Sequence, residues 1–147
     1  MEINIKKFNE LSPLLLYKIL QLRFNVFVLE QKSLYDEFDE KDFEAIHLFY
    51  IDNERIVAYM RVLKRENHIG TFGRVVVDKE YRGKKIGALL VQEGIDYLQK
   101  VMLVSVIKIE AQEYLREFYQ SFGFKQTSQP YDDCGVMHID MTLETSK

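Results

Sequence analysis

The stretch 75–90 restricts the folds open to this chain more than any other part of it. The run Val75–Val77 predicts a strand buried on both faces, because valine suits a pleated surface and no polar residue alternates with it. A basic turn with a glycine follows. Apolar residues then recur at helical spacing from Ile86 onward, which predicts a helix that begins near Lys84 or Lys85. A strand, a tight turn and a helix in this order indicate an α/β layered domain.

The turn itself suits an anion. The first N–H groups of a helix lack intrahelical partners and lie at the positive end of its dipole, so phosphate oxygens bind there. Arg82, Lys84 and Lys85 place positive charge around Gly83. The other interpretation is an ordinary strand-to-helix turn with solvated lysines, and these residues alone do not decide between the two.

Composition narrows the choice of function. A chain of 147 residues is most simply one domain, 1–147, and is large enough to bury a core without disulfides or a metal. Its net charge of −3 argues against nucleic-acid or membrane binding as the main role. Cys134 is the single cysteine, and no signal peptide or membrane-spanning run is visible, so we expect a cytoplasmic protein. No residue spacing indicates a metal site.

The remaining elements fit a mixed sheet flanked by helices. Ser12 and Pro13 predict a helix start, with the helix running to Val26 and fraying near Leu29-Glu30. The acidic, aromatic segment 31–44 is too irregular for a helix or a strand. Gly123 is expected to end a helix in a left-handed conformation. The predicted strands are 3–8, 47–51, 55–63, 75–77, 103–110, 124–127 and 136–143, and the third predicted helix is 112–122.

Several motifs together resemble a known family. The hexapeptide Arg82–Gly87 resembles the Arg/Gln-x-x-Gly-x-Gly/Ala pyrophosphate loop of the GNAT superfamily of N-acetyltransferases. Lys85 stands where that pattern has its middle glycine, which is workable if the φ of Lys85 is helical. The segment 118–124 resembles the FYxxxGF motif of the same superfamily. The resemblance implies a mixed, mostly antiparallel sheet and acetyl-CoA as the acyl donor.

The chain is more narrowly similar to the ElaA-like subfamily of that superfamily. The similarity extends in order over most of the chain. The residues that carry it are Leu22-Arg23-x-x-Val26-Phe27-Val28-x-Glu30-Gln31, Tyr35-x-Glu37-x-Asp39-x-x-Asp42, His47-Leu48, Ala111-Gln112-x-x-Leu115-x-x-Phe118-Tyr119 and Tyr131-x-x-x-Gly135-x-x-His138-x-x-Met141.

The resemblance implies a set of donor-binding residues. The backbone of Val75 and Val77 would pair with the pantetheine arm like an added strand, with the Val77 N–H directed at the thioester oxygen. The valines can be core residues at the same time. The full set of cofactor-binding residues is Val75, Val76, Val77, Arg82, Gly83, Lys84, Lys85, Ile86, Gly87, Gln112 and Tyr119.

The resemblance also suggests the residues that carry the chemistry. Tyr119 would protonate the leaving CoA thiolate, because a phenol is neutral at physiological pH; a plain packing role is the other interpretation. The base is left open: Glu110, at the exit of a predicted strand, is one candidate, the subfamily resemblance adds Glu30 and His138, and a water relay is another. His47 also matches a subfamily position, although packing is its simpler role.

The acceptor is an amine of unidentified structure. The resemblance places Glu30, Tyr35, Asp39 and His138 in its site. Four acidic residues could attract a cationic amine to this site, or could simply be solvated: Asp36, Glu37, Asp39 and Asp42. A polyamine, an amino acid, an antibiotic-like amine and a protein amine all stay open, as does a homodimer. Two alternatives to an enzyme are a catalytically silent CoA-binding module and, less favoured, an anion-binding or nucleic-acid-binding domain.

Overall fold

A computed structural model describes residues 1–145 as one sheet with helices on both faces. The predicted α/β class with a mixed, mostly antiparallel sheet is confirmed. The strands are β1 Ile3–Lys7, β2 Ile46–Asp52, β3 Arg55–Lys64, β4 Ile69–Val77, β5 Val106–Gln112, β6 Lys125–Gln126, β7 Tyr131–Asp133 and β8 Val136–Glu144. The helices are α1 Pro13–Arg23, α2 Ile86–Lys100 and α3 Arg116–Gln120, and a π-helix, Phe24–Glu30, continues α1.

The strand order of the sheet is β1-β2-β3-β4-β5-β8-β6, with β7 also paired to β8. All neighbours are antiparallel except β4 and β5, which are parallel and pair only through Ile69 with Val106 and Gly70 with Ile107. Beyond Gly70 these two strands diverge. The sheet therefore contains a split whose two strand edges have unpaired backbone groups.

Two hydrophobic clusters cover the two faces of the sheet. Helix α2 packs on one face in the larger cluster, and α1 packs on the other through Ile19 and Leu22. Helix α2 packs closely on the sheet at Gly94, where a Cβ would lie 2.5 Å from Met60 Cε and the end of that side chain would have to shift. None of the helices in residues 1–145 is both long and apolar enough to cross a bilayer.

The start of the first helix agrees with the prediction, and its end does not. The Ser12 hydroxyl accepts a hydrogen bond from the Leu15 N–H (3.1 Å), with Pro13 at the first helical position. Instead of fraying near Leu29-Glu30, the chain stays helical to Glu30. The Gln31 N–H bonds the Val26 carbonyl (3.0 Å), five residues back, which is the π-helical pattern.

The prediction also misplaces the elements around the split. Strand β5 begins only at Val106, because the chain is irregular before it and Leu103 has a left-handed φ of 56°. Gln112 ends β5 instead of opening a helix, and the predicted helix 112–122 shortens to a 3₁₀ turn and α3. Gly123 has the expected left-handed conformation, with φ 102°.

The sequence predicted that all three central valines are buried, and this is only partly correct. Val76 is buried, but Val75 and Val77 are only half-buried because they border the split. Helix α2 begins at Ile86, just after the predicted start.

Candidate active site

A cavity of about 810 Å³ occupies the split between β4 and β5. Both strands line it, together with the end of the π-helix, α3 and the β7–β8 hairpin. This volume lies in the range of small-molecule sites. Most of the residues predicted to bind donor or acceptor contribute to its wall.

The backbone of Val77 faces the split. Ala58 on β3 lies opposite Val77, and the Asp78 N–H donates to the Val57 carbonyl (2.8 Å), which makes Ala58 and Val77 a non-hydrogen-bonded pair. The N–H and C=O of Val77 therefore point away from β3, toward β5. This orientation supports the role predicted for the Val77 N–H.

The turn after β4 leaves the N-terminus of α2 open. Gly83 has φ 80°, and Lys85, the residue before α2, has φ 65°. A helical φ for Lys85 was the wrong expectation. The left-handed value explains why the family pattern has glycine at this place, since glycine carries no Cβ penalty there.

Backbone donors are available at the start of α2. The first helical hydrogen bond joins the Leu89 N–H to the Lys85 carbonyl (3.1 Å), so the N–H groups of Ile86, Gly87 and Ala88 have no intrahelical partner. A Cβ at Gly87 would lie 3.4 Å from Val77 Cγ2, which places this helix end against the end of β4. The helix dipole adds to these donors, and together they form an anion-binding geometry.

Arg82 contacts protein oxygens rather than open solvent. Its Nη1 and Nη2 donate to the two carboxylate oxygens of Glu30 (2.6 and 3.0 Å), and its Nε donates to the Val77 carbonyl (3.0 Å). The hydrogen bond from Arg82 lowers the pKa of Glu30. Glu30 is therefore a weaker candidate for the base than Glu110 or His138.

Tyr119 on α3 lies in the aromatic part of the core and lines the cavity. Its ring contacts Phe72, Phe118 and Phe124, with centroid distances of 6.0, 5.0 and 6.0 Å. Burial raises the pKa of the Tyr119 phenol, so the group stays protonated at neutral pH. The raised pKa speaks against a base role, and it also makes the phenol a weaker acid than an exposed tyrosine.

Glu110 faces the opposite side of β5. Ile109 and Ala111 belong to the core cluster that contains Tyr119, so strand alternation places Glu110 on the α1 side of the sheet. It is exposed, and among residues 1–145 its carboxylate forms no ion pair. The candidate acid and base thus flank the split from opposite faces.

Gln112 and His138 lie opposite each other on β5 and β8. The Gln112 amide exchanges hydrogen bonds with Gln31 (3.2 and 3.3 Å), which connects β5 to the residue after the π-helix. His138 Nδ1 donates to the Val136 carbonyl (2.8 Å), since a carbonyl can only accept. The other ring nitrogen of His138, Nε2, is left as an acceptor, so this residue stays open as a base.

Asp36, Glu37, Asp39 and Asp42, the acidic residues proposed to attract the acceptor, all have partners within the protein. Asp36 is exposed, and its carboxylate accepts from the Phe38 N–H (3.2 Å). The carboxylates of Glu37, Asp39 and Asp42 join a buried ionic network with three arginines, so their charge is already balanced within the protein. The members of this network are Arg23, Glu37, Asp39, Asp42, Arg61 and Arg74.

Arg23 and Arg61 form the centre of the buried ionic network. Arg23 pairs with Glu37, and its Nη1 lies 2.9 Å from Asp42 Oδ1. Arg61 Nη1 contacts the same Asp42 oxygen at 2.9 Å, and its Nη2 lies 2.6 Å from Asp39. Burial alone would raise the pKa values of Asp39 and Asp42, but hydrogen bonds from the arginines outweigh it and lower both.

Arg74 connects this network to the strand that borders the split. It occupies a bulge in β4 with φ 52°, and its Nε lies 2.9 Å from Glu37 Oε1. Its guanidinium lies over the ring of Tyr35 (5.0 Å), whose hydroxyl donates to Glu37. Tyr35 and Asp39 therefore line the cavity as parts of a fixed wall.

His47 lies beneath this wall in a packing role. It is buried, its Nε2 donates to the Asp42 carbonyl (3.0 Å), and its Nδ1 accepts from the Tyr59 hydroxyl (2.6 Å). Burial lowers the pKa of His47, so its neutral form is favoured. Sequence reasoning missed the arginine partners, although Arg61 within an apolar strand and Arg23 within an apolar helical stripe are visible signals.

Comparison with known proteins defines the class of this fold and site. The sequence model of the acetyltransferase (GNAT) domain family matches residues 17–145, and the chain belongs to that family. Its members transfer acyl groups from coenzyme A, so the chain is a GNAT acyltransferase.

The similarity narrows to ElaA, as predicted. Protein ElaA of Escherichia coli is 36% identical over 140 residues, which cover 92% of each chain. Its crystal structure matches with a TM-score of 0.92 at 34% identity, covering 98% of this chain and all of ElaA.

Two further proteins show similar agreement. An acyl-CoA N-acyltransferase from Pseudomonas aeruginosa has a TM-score of 0.90 at 30% identity, covering 97% of this chain and 99% of that one. A UPF0039 protein of Schizosaccharomyces pombe is 37% identical over 146 residues, or 98% of this chain and 97% of its own.

Proposed function

We propose that this protein is an acetyl-CoA-dependent N-acetyltransferase that moves an acetyl group to an amine by direct transfer in a ternary complex. The observation that carries the proposal is the split between β4 and β5, which opens directly beside the unpaired N-terminus of α2. The similar Pseudomonas protein is an acyl-CoA N-acyltransferase, which supports the same donor class.

The donor would bind along the unpaired edge of β4. A pantetheine arm carries amide groups at strand-like spacing, so it can add to that edge as a further strand. Its diphosphate would then lie at the N–H groups of Ile86–Ala88, with Lys84 and Lys85 supplying charge. The Val77 N–H would face the thioester oxygen and stabilise the oxyanion, a contribution that is typically about 2.7–4 kcal/mol.

The chemistry would proceed from the two faces of the split. The amine approaches on the Glu110 side, its nitrogen forms a bond to the thioester carbon, and the carbon–sulfur bond breaks. The proton lost by the amine passes to Glu110, with His138 or water as the other acceptors. The protonated Tyr119 supplies a proton to the departing thiolate from the opposite face.

The test is a Tyr119→Phe variant assayed with acetyl-CoA and a panel of spermidine, lysine, kanamycin and a peptide with a free N-terminus. Removing the proton donor is expected to lower turnover by about 10²–10⁴-fold. The dissociation constant for CoA should stay within a factor of about two, because the ring and its packing are kept. Tyr17→Phe, which changes an exposed tyrosine on α1, is the matched control.

Three results would contradict parts of the proposal. Absence of calorimetric CoA binding by the folded wild-type protein would remove the donor assignment. Tight CoA binding without transfer to any amine would favour a silent CoA-binding module. Unchanged turnover in Tyr119→Phe would remove the acid role alone.

A further inference from the structure

The contact between Arg82 and Glu30 joins two parts of the cavity that have different roles in the proposed function. Arg82 belongs to the turn that would hold the diphosphate, and Glu30 is the last residue of the π-helix that borders the acceptor side. The pair is bidentate, with both carboxylate oxygens engaged. A third donor of Arg82 holds the Val77 carbonyl.

We propose that Glu30 competes with the donor's diphosphate for Arg82, so that donor binding frees the Glu30 carboxylate on the acceptor side. This inference rests on the proposed function. Glu30 and Arg82 then act as positioning residues that couple donor binding to the charge of the acceptor site, without contacting the reacting atoms.

The exposure of the pair makes such an exchange feasible. The side chains of Arg82 and Glu30 are 40% and 42% exposed, and ion pairs at this exposure are weak. A diphosphate carries more negative charge than one carboxylate and offers several oxygens to the planar guanidinium fork. The diphosphate would also bring the N-terminus of α2 and the turn together around the same anion.

Three other carboxylates near the cavity cannot be released by donor binding in this way. Glu37, Asp39 and Asp42 are held by arginines in the buried ionic network, where breaking a contact would leave a buried charge. Glu30 differs from these three in being exposed and paired with the turn that would hold the diphosphate, and it is followed by Gln31, whose amide contacts β5. A freed Glu30 carboxylate would favour an amine that arrives as a cation after the donor.

A double-mutant cycle on CoA affinity tests the competition. Glu30→Gln should tighten CoA binding about three- to fivefold, the effect expected from releasing one exposed ion pair. Arg82→Gln should weaken CoA binding, and the double variant should match Arg82→Gln because Glu30 then has no arginine to withhold. Calorimetry on the full chain gives all four dissociation constants.

Two controls separate this effect from general electrostatics. Glu80→Gln removes an exposed carboxylate that lies two residues from Arg82 and pairs with Arg55, and it should change CoA affinity less than Glu30→Gln does. S-acetylpantetheine lacks the diphosphate, so Glu30→Gln should leave its affinity unchanged.

A direct readout follows the Glu30 carboxyl group. In the free protein its pKa is lowered by Arg82, and the pKa should rise toward its usual value when saturating CoA is present, as followed by ¹³C NMR during a pH titration. An unchanged pKa, or equal tightening in the Glu30→Gln and Glu80→Gln variants, would overturn the inference. If the wild-type protein binds no CoA, the proposed function itself fails.

Discussion

The two walls of the cavity are built in different ways. The acceptor wall, residues 31–44, has almost no regular secondary structure and is fixed by the buried ionic network. The donor wall, residues 77–88, combines a strand end and a helix start with three surface ion pairs and several unpaired N–H groups. A fixed acceptor wall thus faces a donor wall that can exchange its partners.

The difference shows where charge serves stability and where it serves binding. Arg23 is 1% exposed, and its loss would leave Glu37 and Asp42 buried with one arginine partner fewer. Arg82 is near solvent, so its contacts cost little to change. Variants in the two walls should therefore affect different observables.

The largest expected effect is on the acceptor wall. Arg23→Met should lower the free energy of unfolding by about 3–5 kcal/mol, because Glu37 and Asp42 would lose a buried partner. Urea denaturation measures this change. Arg55→Met removes two exposed ion pairs, with Asp78 and Glu80, and should leave the free energy of unfolding nearly unchanged. If both variants lowered the free energy of unfolding equally, the two walls would not differ in how their ion pairs contribute to stability.

The second largest effect is expected from low pH, which should lower the stability of the acceptor wall. The folded-state pKa values of Asp39 and Asp42 are lowered, so the stability these residues contribute is present above their usual value of 3.8 and is lost as pH falls through the lower folded values. The free energy of unfolding, measured in urea from pH 7 to pH 2, should fall steeply below about pH 4.

The variant Glu30→Gln sharpens this prediction. The pKa of Glu30 is also lowered, but its carboxylate is exposed and should contribute little to stability. The free energy of unfolding of Glu30→Gln should therefore depend on pH in the same way as that of the wild type. A flattened acid limb in Glu30→Gln would assign the acid sensitivity to the donor wall instead.

The smallest effect is expected in the donor wall. Lys85→Gly should raise the free energy of unfolding by about 1 kcal/mol, since a left-handed φ of 65° is costly for a residue with a Cβ. Thermal denaturation provides the measurement. Lys84→Gly, at a neighbouring position outside the left-handed region, should bring no gain; a similar gain there would show that the effect does not come from the φ of Lys85.

Local sequence patterns predicted the elements that depend on neighbouring residues. The strand, turn and helix of 75–90 and the Ser12-Pro13 helix start follow from residues within one or two turns of each other. The conformation of Lys85 was missed because the sequence alone does not show which side of the helix boundary that residue occupies.

The acceptor wall could not be predicted in the same way. Arg23, Glu37 and Arg74 lie far apart in sequence and meet only in the folded chain. In the sequence, the acidic residues of this segment therefore have no visible counter-ions. In the folded chain, Glu37, Asp39 and Asp42 pair with arginines from a helix and two strands. The π-helix was equally hidden, because its hydrogen bonds differ from those of an α-helix by one residue and leave the apolar pattern unchanged.

The central claim is that the donor lies in the split, with its arm beside Val77 and its diphosphate at the start of α2. Backbone amide NMR of the ¹⁵N-labelled protein during a CoA titration tests it most directly. The amide signals of Val77, Gly87 and Ala88 should shift strongly and become protected from exchange, while those of α1 change little. Shifts confined to other surfaces, with these three amides unaffected at saturating CoA, would contradict the account.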